Sequence, residues 1–517
     1  MKSNPKNPIT KVIFTPQNST FTSSYVSYTK NKRYSNPNDT NLIAIVEAKH
    51  ESHVQTTVVC AKSNAIQIRI RSGGHDYEEL FLGAMPQITK GANKTIVVKF
   101  IAKFLGSSKK LMGIINKNLP ELGLKGEDCY EMSWLNTMTF WADYPVGTST
   151  SVLLKRPSTP PGAFFKSKSD YVKKPIPKEV MEKMWKTMLK FNNHVFMQWN
   201  PYGGVMDKIA ANATAFPHRK GNLFKIQYFA LWIDANATKA NLALMKELYG
   251  VAETYVSSNP REAFLNYRDI DVGSNPSGVT NVAEGKIYGS KYFVGNLNRL
   301  MNVKAKYDPD NFFRHEQSIP PLHAITILLF FTTIFLLLSL PHSVSANQSN
   351  HTVIHTPNDS SFSSVLSLTI QNPRFSSPGT PKPVLILTPV QPSHVQSAVK
   401  CARRFGIHIR TRSGGHDYEG LSYATHKPFV ILDLTNLWSI TVAVDNRSVW
   451  VQTGATIGEL YYELGKMNKT LAFPAGVCPT VGVGGHFSGG GYDTLLRKHG
   501  LAADHVIDAR VVDARVR

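Results

Sequence analysis

A chain of 517 residues with 42% hydrophobic content is long enough for about three domains and for sizeable apolar cores. Its net charge of +22 comes from Lys and Arg scattered without a basic block or basic helix, which argues against nucleic acid as the partner. An acidic matrix such as a polyanionic cell wall fits better, and a plain solvated basic surface fits as well.

Cys60, Cys129, Cys401 and Cys478 are too few for a disulfide scaffold, and no CxxC pair suggests zinc, so no metal site is expected. Sequons at Asn18, Asn212, Asn236, Asn350 and Asn446 together favour a secretory origin.

Taken from its start, the chain repeats itself. Val12–Pro16 returns as Val353–Pro357, Ser52–Gln55 as Ser393–Gln396, and Arg71–Glu78 (RSGGHDYE) as Arg412–Glu419. The offset is constant: 353−12, 393−52 and 416−75 are all 341. The match stops after Leu80, and the period is far too long for a solenoid, so the pattern reads as duplication followed by a cut.

Farther along, Lys225-Ile226-Gln227 alternates before aromatic residues, which as a strand puts Lys225 and Gln227 on one side. Leu242, Met245, Leu248, Ala252 and Tyr255 form a helical stripe expected to be core. The run 324–340 (AITILLFFTTIFLLLSL) carries no charge and leads through Pro341 to the small-residue stretch Ser343–Ala346. That is the form of a secretory signal peptide, standing mid-chain as if a second gene product began there. Membrane insertion as an anchor and a buried core helix are the competing readings; about 17 residues is the lower limit for spanning.

In the last third, Val384–Thr388 is predicted as a strand, followed by a helix N-capped by Ser393 and closed by Gly406. Ile407–Arg410 alternates as a strand before the turn Ser413-Gly414-Gly415-His416, the place where α/β folds put ligands. Phe429–Leu434 and Val449–Thr453 are predicted strands, and Ile457–Leu464 a short helix with Gly465 after it. Pro474–Gly491 (PAGVCPTVGVGGHFSGGG) is dense enough in glycine for backbone N–H groups to approach a phosphate or a flat ring. A flexible loop would look the same; His416 and Cys478 in one unit sharpen the case, because imidazole and thiolate can bond an electrophilic ring.

RSGGHDYEG at 412–420 and the run from Pro474 to Asp513 closely resemble the plant berberine bridge enzyme-like FAD-linked oxidases. The residues 94–322 resemble that family's substrate-side half, through Leu122–Lys125, Cys129–Trp134, Asn200–Gly204, Phe216–Leu223, Leu265–Asp269 and Asp308–Arg314. The resemblance implies an α+β fold: a partial FAD-binding domain of the p-cresol methylhydroxylase type, and a substrate domain of antiparallel sheet and covering helices, in permuted order. The pieces are expected at 1–90 (truncated FAD-binding fragment), 91–318 (substrate domain), 319–350 (signal-like or transmembrane segment) and 351–517 (second FAD-binding fragment).

The same resemblance implies FAD attached twice, through His416 and Cys478. Ser413, Gly414, Gly415, Gly482, Gly484, Gly485, His486, Gly489 and Gly490 are expected around it, and His75 alone remains in the first copy. Berberine bridge enzyme itself has a glutamate base at the place of Gln227, which cannot act as one. The set Lys225, Gln227 and Tyr267 instead resembles the alcohol-oxidising branch, in which a tyrosine made acidic by a neighbouring lysine takes the hydroxyl proton. A sugar or phenolic alcohol is the expected substrate, O2 a candidate acceptor, and a secreted or cell-wall location follows. The family's next glycine-rich FAD contact is absent from both copies, so an inactive fused remnant without flavin is the rival, and a basic wall-binding protein a third reading.

Overall fold

The computed structural model describes residues 10, 12–23, 43–47, 53, 56–57, 60, 63–64, 80–88, 94–156, 163–275, 281–322, 353–445, 447–468 and 471–516. His75 with its glycine turn, and the apolar run 324–340, lie outside the described residues. Two compact units emerge, Met1–Tyr77 with Phe104–Glu131, and Glu78–Lys103 with Met132–Arg517.

In the first unit, Ile13–Phe14 pairs antiparallel with Ile45–Val46. A helix over Ser108–Asn118 is capped by the Ser107 hydroxyl, which accepts from the Lys110 N–H. The Glu131 carboxylate accepts from the Ser108 N–H at 2.6 Å and from its hydroxyl at 2.7 Å, which holds its pKa below the usual carboxylate range.

Among the described residues the second unit contains a two-stranded antiparallel ribbon, Ile440–Ala443 with Ser448–Val451, and two sheets of four or more strands. The larger is built from β1 (Leu80–Ile88), β2 (Lys94–Ala102), β3 (Phe164–Val172), β4 (His194–Pro201) and β5 (Phe224–Trp232), in the order β2-β1-β4-β5-β3 and antiparallel throughout. The register sets Lys225 opposite Asn200 and Tyr171, and Gln227 opposite Gln198 and Ser169. Side chains alternate across a strand, so one face carries Val195, Met197, Trp199, Ile226, Tyr228, Ala230 and Trp232. These pack with Val180, Met184 and Met188 of α1 (Lys178–Leu189) and with Met245 and Leu248 of α2 (Thr238–Val251) into the largest apolar core. The expected stripe packs into the core at Leu242, Met245 and Leu248 of α2 and at its C-cap Ala252, but Tyr255 lies farther on and is exposed.

The smaller sheet takes β6 (Ile354–His355), β7 (Leu385–Leu387), β8 (His408–Arg412) and β9 (Phe429–Asp433) in the order β8-β9-β7-β6, with β8, β9 and β7 parallel. Parallel strands of one sheet need a crossover; between β7 and β8, which flank β9, it runs through α3 (Pro392–Arg404), whose Ala398, Val399 and Ala402 are buried. That helix starts two residues earlier than the sequence suggested: Gln391 is the cap and Pro392 the first helical residue, where proline's missing N–H costs nothing. Gly406 does stand just past its end, with φ +64°.

A second correction concerns α4 (Ile457–Met467), which runs through Gly465. A Cβ at Gly465 would lie 2.6 Å from the Leu135 side chain, so this glycine serves close packing and is no terminator. Its N-terminus is fixed by a capping box in which Thr456 and Glu459 exchange hydrogen bonds with each other's backbone N–H.

Residues far apart in sequence are bolted together inside this unit by forked ion pairs. Arg219 meets Asp504 at 2.8 and 2.6 Å and Arg156 meets Glu459 at 2.8 and 3.0 Å, whereas Arg410 reaches both Glu316 oxygens through one nitrogen, at 2.8 and 3.0 Å. Bidentate geometry fixes angle as well as distance, so the chain on either side of the glycine-rich stretch, at Glu459 and Asp504, is pinned to Arg156 and Arg219.

Candidate active site

The face of the larger sheet turned away from its helices borders a cavity of about 2340 Å³, lined by Phe196, Gln198, Gln227 and Phe229 from the strands. The opposite wall is made by the loop 413–418 that follows β8 and by the glycine-rich stretch 476–489. Both belong to the smaller sheet's part of the chain, and Leu265–Arg268 joins them from the larger sheet's part.

The two loops of the far wall touch backbone to backbone. A Cβ on Gly414 would stand 2.4 Å from the Gly482 nitrogen and 2.7 Å from the Thr480 oxygen, and one on Gly482 only 2.0 Å from the Ser413 hydroxyl. Only glycine permits that approach. His416 is locked to the cysteine loop through Nε2, 2.9 Å from the Thr480 hydroxyl, and Ser413 donates to the Thr453 carbonyl at 2.6 Å. Burial pushes His416 down to about 4, so its imidazole is neutral near pH 7. Cys478 opens into the cavity, yet the protein packed around it, and secondarily the Asp143 carboxylate, raises its thiol pKa.

Ser413, Gly414, Gly415, Gly482, Gly484, Gly485, His486 and Gly489 all line the same cavity. Gly490 is not among the lining residues: at φ +118° it packs toward Phe216. His486 accepts the Gly476 N–H at 2.9 Å, and burial with the nearby Lys225 cation holds it down to about 3, so it braces the cysteine loop as a neutral ring.

On the near wall, Lys225 is fully buried with its ammonium over three rings: Tyr492 at 3.8 Å, Phe264 at 4.0 Å and Tyr267 at 4.3 Å from the centroids. Such a cation is held by ring quadrupoles and by what surrounds them. Gln227 donates to the Ser167 hydroxyl at 3.2 Å and to the Tyr418 hydroxyl at 3.4 Å. Tyr418 in turn stacks on Tyr267, centroids 5.9 Å apart and planes within 9°. Of the three residues singled out in the sequence, Gln227 and Tyr267 line the cavity, whereas Lys225 is buried within that wall and is not among the lining residues.

Tyr492 and Tyr418 escaped notice there because each stood inside a motif read for its glycines or its histidine. The tetrapeptide Asn266–Asp269 does more than its resemblance foretold. Asn266 bonds to Gly485 and Gly491, Arg268 pairs with Asp417 at 3.1 Å, and Asp269 receives Lys166 at 2.7 Å and Lys168 at 2.8 Å.

These residues suit FAD. A neutral imidazole and a thiol share one cavity, and at Gly485 nothing stands within 4 Å of where a Cβ would be, leaving backbone open to a flat ring or a phosphate. No group of His, Cys, Asp and Glu among the described residues is arranged to hold a metal ion.

Residues 383–515 match the FAD binding domain family, and residues 263–320 match the family described as berberine and berberine like. Berberine bridge enzyme-like 17 of Arabidopsis thaliana is 51% identical over 494 residues, covering 63% of this chain and 93% of that protein. Berberine bridge enzyme-like 18 of the same plant is 78% identical over 210 residues, covering 37% of this chain and 40% of that one. The first alignment takes in about 326 residues here (0.63 × 517), so about 168 of its 494 positions face none.

Among solved structures, a BBE-like protein from Arabidopsis thaliana is 34% identical, with TM-score 0.43, over 47% of this chain and 50% of that one. A berberine bridge enzyme variant in complex with (S)-reticuline is 27% identical, with TM-score 0.43, over 47% and 49%. The chain spans about half the length of these two solved structures.

Site and family match together define the class: FAD-dependent oxidoreductases. Within it, identity running across nearly the whole of a curated relative decides the matter, and the chain belongs to the berberine bridge enzyme-like family.

Proposed function

We propose that this chain descends from an oxidase that removes hydride from an alcohol, a sugar or a phenolic alcohol, with FAD joined to His416 and Cys478. The chemistry FAD supplies when bound is acceptance of that hydride, with O2 as candidate final acceptor. The chain's own residues handle the proton. Lys225 lies under two phenols, Tyr492 the nearer and Tyr267 the next, and a buried cation beside a phenol favours its ionised form. A phenolate on the cavity wall takes the proton from the substrate hydroxyl as hydride leaves the carbon that bears it, so that a carbonyl forms. Gln227 serves to orient Tyr418 and, through it, Tyr267. Neutral His416 has a free electron pair for attachment through a ring nitrogen, whereas Cys478 must first lose its proton.

The single observation carrying this reading is the buried Lys225 ammonium over the rings of two phenols, Tyr492 and Tyr267, that line the same cavity as His416 and Cys478. Anaerobic mixing with sugar and phenolic alcohols, followed by flavin bleaching, tests it. Tyr492→Phe or Tyr267→Phe should slow bleaching by about 10²- to 10⁴-fold, whichever phenol takes the proton. Full-rate bleaching in both variants would overturn the assignment.

A second reading is favoured by the roughly 168 alignment positions without a counterpart here: two cut copies joined, in permuted order, with part of the FAD cradle lost. That reading predicts colourless protein. For location we propose the secretory route and the cell wall, on the sequons and the basic charge. Retention on a polyanionic matrix that salt releases would support it. No helix among the described residues is long and apolar enough to cross a membrane, and 324–340 falls outside them.

A further inference from the structure

We propose that Asn266 is a positioning residue: its carboxamide ties the glycine-rich stretch to the substrate side and thereby sets the two phenols around Lys225. The inference rests on the alcohol-oxidation reading and deepens it.

Asn266 stands in a short 3-10 turn, Leu265–Tyr267, on the cavity wall. Its Nδ2 donates to the Gly485 carbonyl at 3.2 Å, and its Oδ1 accepts the Gly491 N–H at 3.0 Å. One side chain therefore satisfies backbone groups at both ends of the segment 485–491. That segment closes α5 (Val483–Ser488) and turns through Gly490 and Gly491 at φ +118° and +75°, a conformation other residues resist. The approach is tight: a Cβ on Gly489 would stand 2.1 Å from the Asn266 amide nitrogen. The residue after Gly491 is Tyr492 and the residue after Asn266 is Tyr267. The bond between Asn266 and Gly491 is thus a rung whose next residues on either side are the two phenols facing Lys225. A few tenths of an ångström at this rung pass directly into the distance from Lys225 to each ring. The other bond, to Gly485, steadies the turn preceding His486, which braces the loop of Cys478.

The test uses the full chain carrying N266A, N266L or N266D. N266L keeps the bulk of the side chain and removes both bonds, whereas N266D keeps an acceptor for the Gly491 N–H. With Lys225 displaced from the phenols, N266A and N266L should lose about 10- to 100-fold in kcat with KM little changed. The acid limb of their kcat–pH profile should move to higher pH, and N266D should restore it toward wild type. A melting temperature that falls while the limb stays put would reduce Asn266 to a structural role and overturn the proposal, as would equal shifts in N266L and N266D. If the wild-type chain neither retains flavin nor turns over, the alcohol reading fails separately. Near-ultraviolet titration of the phenols then decides on Asn266 alone: loss of the early-ionising phenol in N266L supports the proposal, and its persistence overturns it.

Discussion

The two faces of the larger sheet are made by the same strands and differ in almost everything else. Between β4 and β5, Val195, Met197, Trp199, Ile226, Tyr228 and Ala230 look toward two helices and are buried without a charge among them. Their immediate neighbours, Gln198, Asn200, Lys225 and Gln227, look the other way and are almost as thoroughly buried. Burial on the first face contributes stability directly, at roughly 25 cal/mol per Å² of apolar area. On the second face it is costly unless each polar group finds a partner, and it is this face that carries the proposed chemistry. A one-residue slip of β5 would exchange the two.

The comparison can be broken from either side. Lys225→Met should have the largest effect on function, a drop of about 10²- to 10⁴-fold in kcat. Its melting temperature should hold or rise, because a buried charge is exchanged for an apolar chain of like size; calorimetry beside kinetics checks both. Asp504→Ala, which strands Arg219 in the interior, should cost about 3–5 kcal/mol in denaturant unfolding. Leu248→Ala on the helix-covered face should cost about 2–5 kcal/mol while leaving the kcat–pH profile where it was.

A smaller effect comes from His486, held down to about 3 in the folded chain against 6.5 for an ordinary histidine. Between those values the unfolded chain binds the extra proton, so this contribution is complete above pH 6.5 and is lost as pH falls toward 3. His486→Gln should flatten that part of the stability–pH curve by comparison with wild type. Least of all, Lys178→Ala, which removes an exposed pair with Glu182, should change stability by no more than about 0.5 kcal/mol.

Much of the cavity face was legible in the sequence, and the reason is local. Alternation alone put Lys225 and Gln227 on one side, and the spacing of glycines around His416 and Cys478 marked a wall against which something flat can lie. Element ends were less legible. Gly465 reads as a stop until Leu135, more than 300 residues away, is seen packed against it. Ser393 reads as the cap until Pro392 is seen to open the helix. Contacts such as Gln227 with Tyr418, Arg219 with Asp504 and Lys225 with Tyr492 leave no periodic trace, because each joins segments whose proximity is decided by tertiary packing. Tyr492 could still have been suspected: an aromatic residue directly after three glycines has backbone freedom on one side and a reason to be held on the other.

The most direct trial of the account is peptide mass analysis of the expressed chain after acid precipitation. It predicts yellow protein in which the peptides containing His416 and Cys478 travel together, joined through one flavin. Flavin released into the supernatant, with both peptides at their unmodified masses, would contradict it.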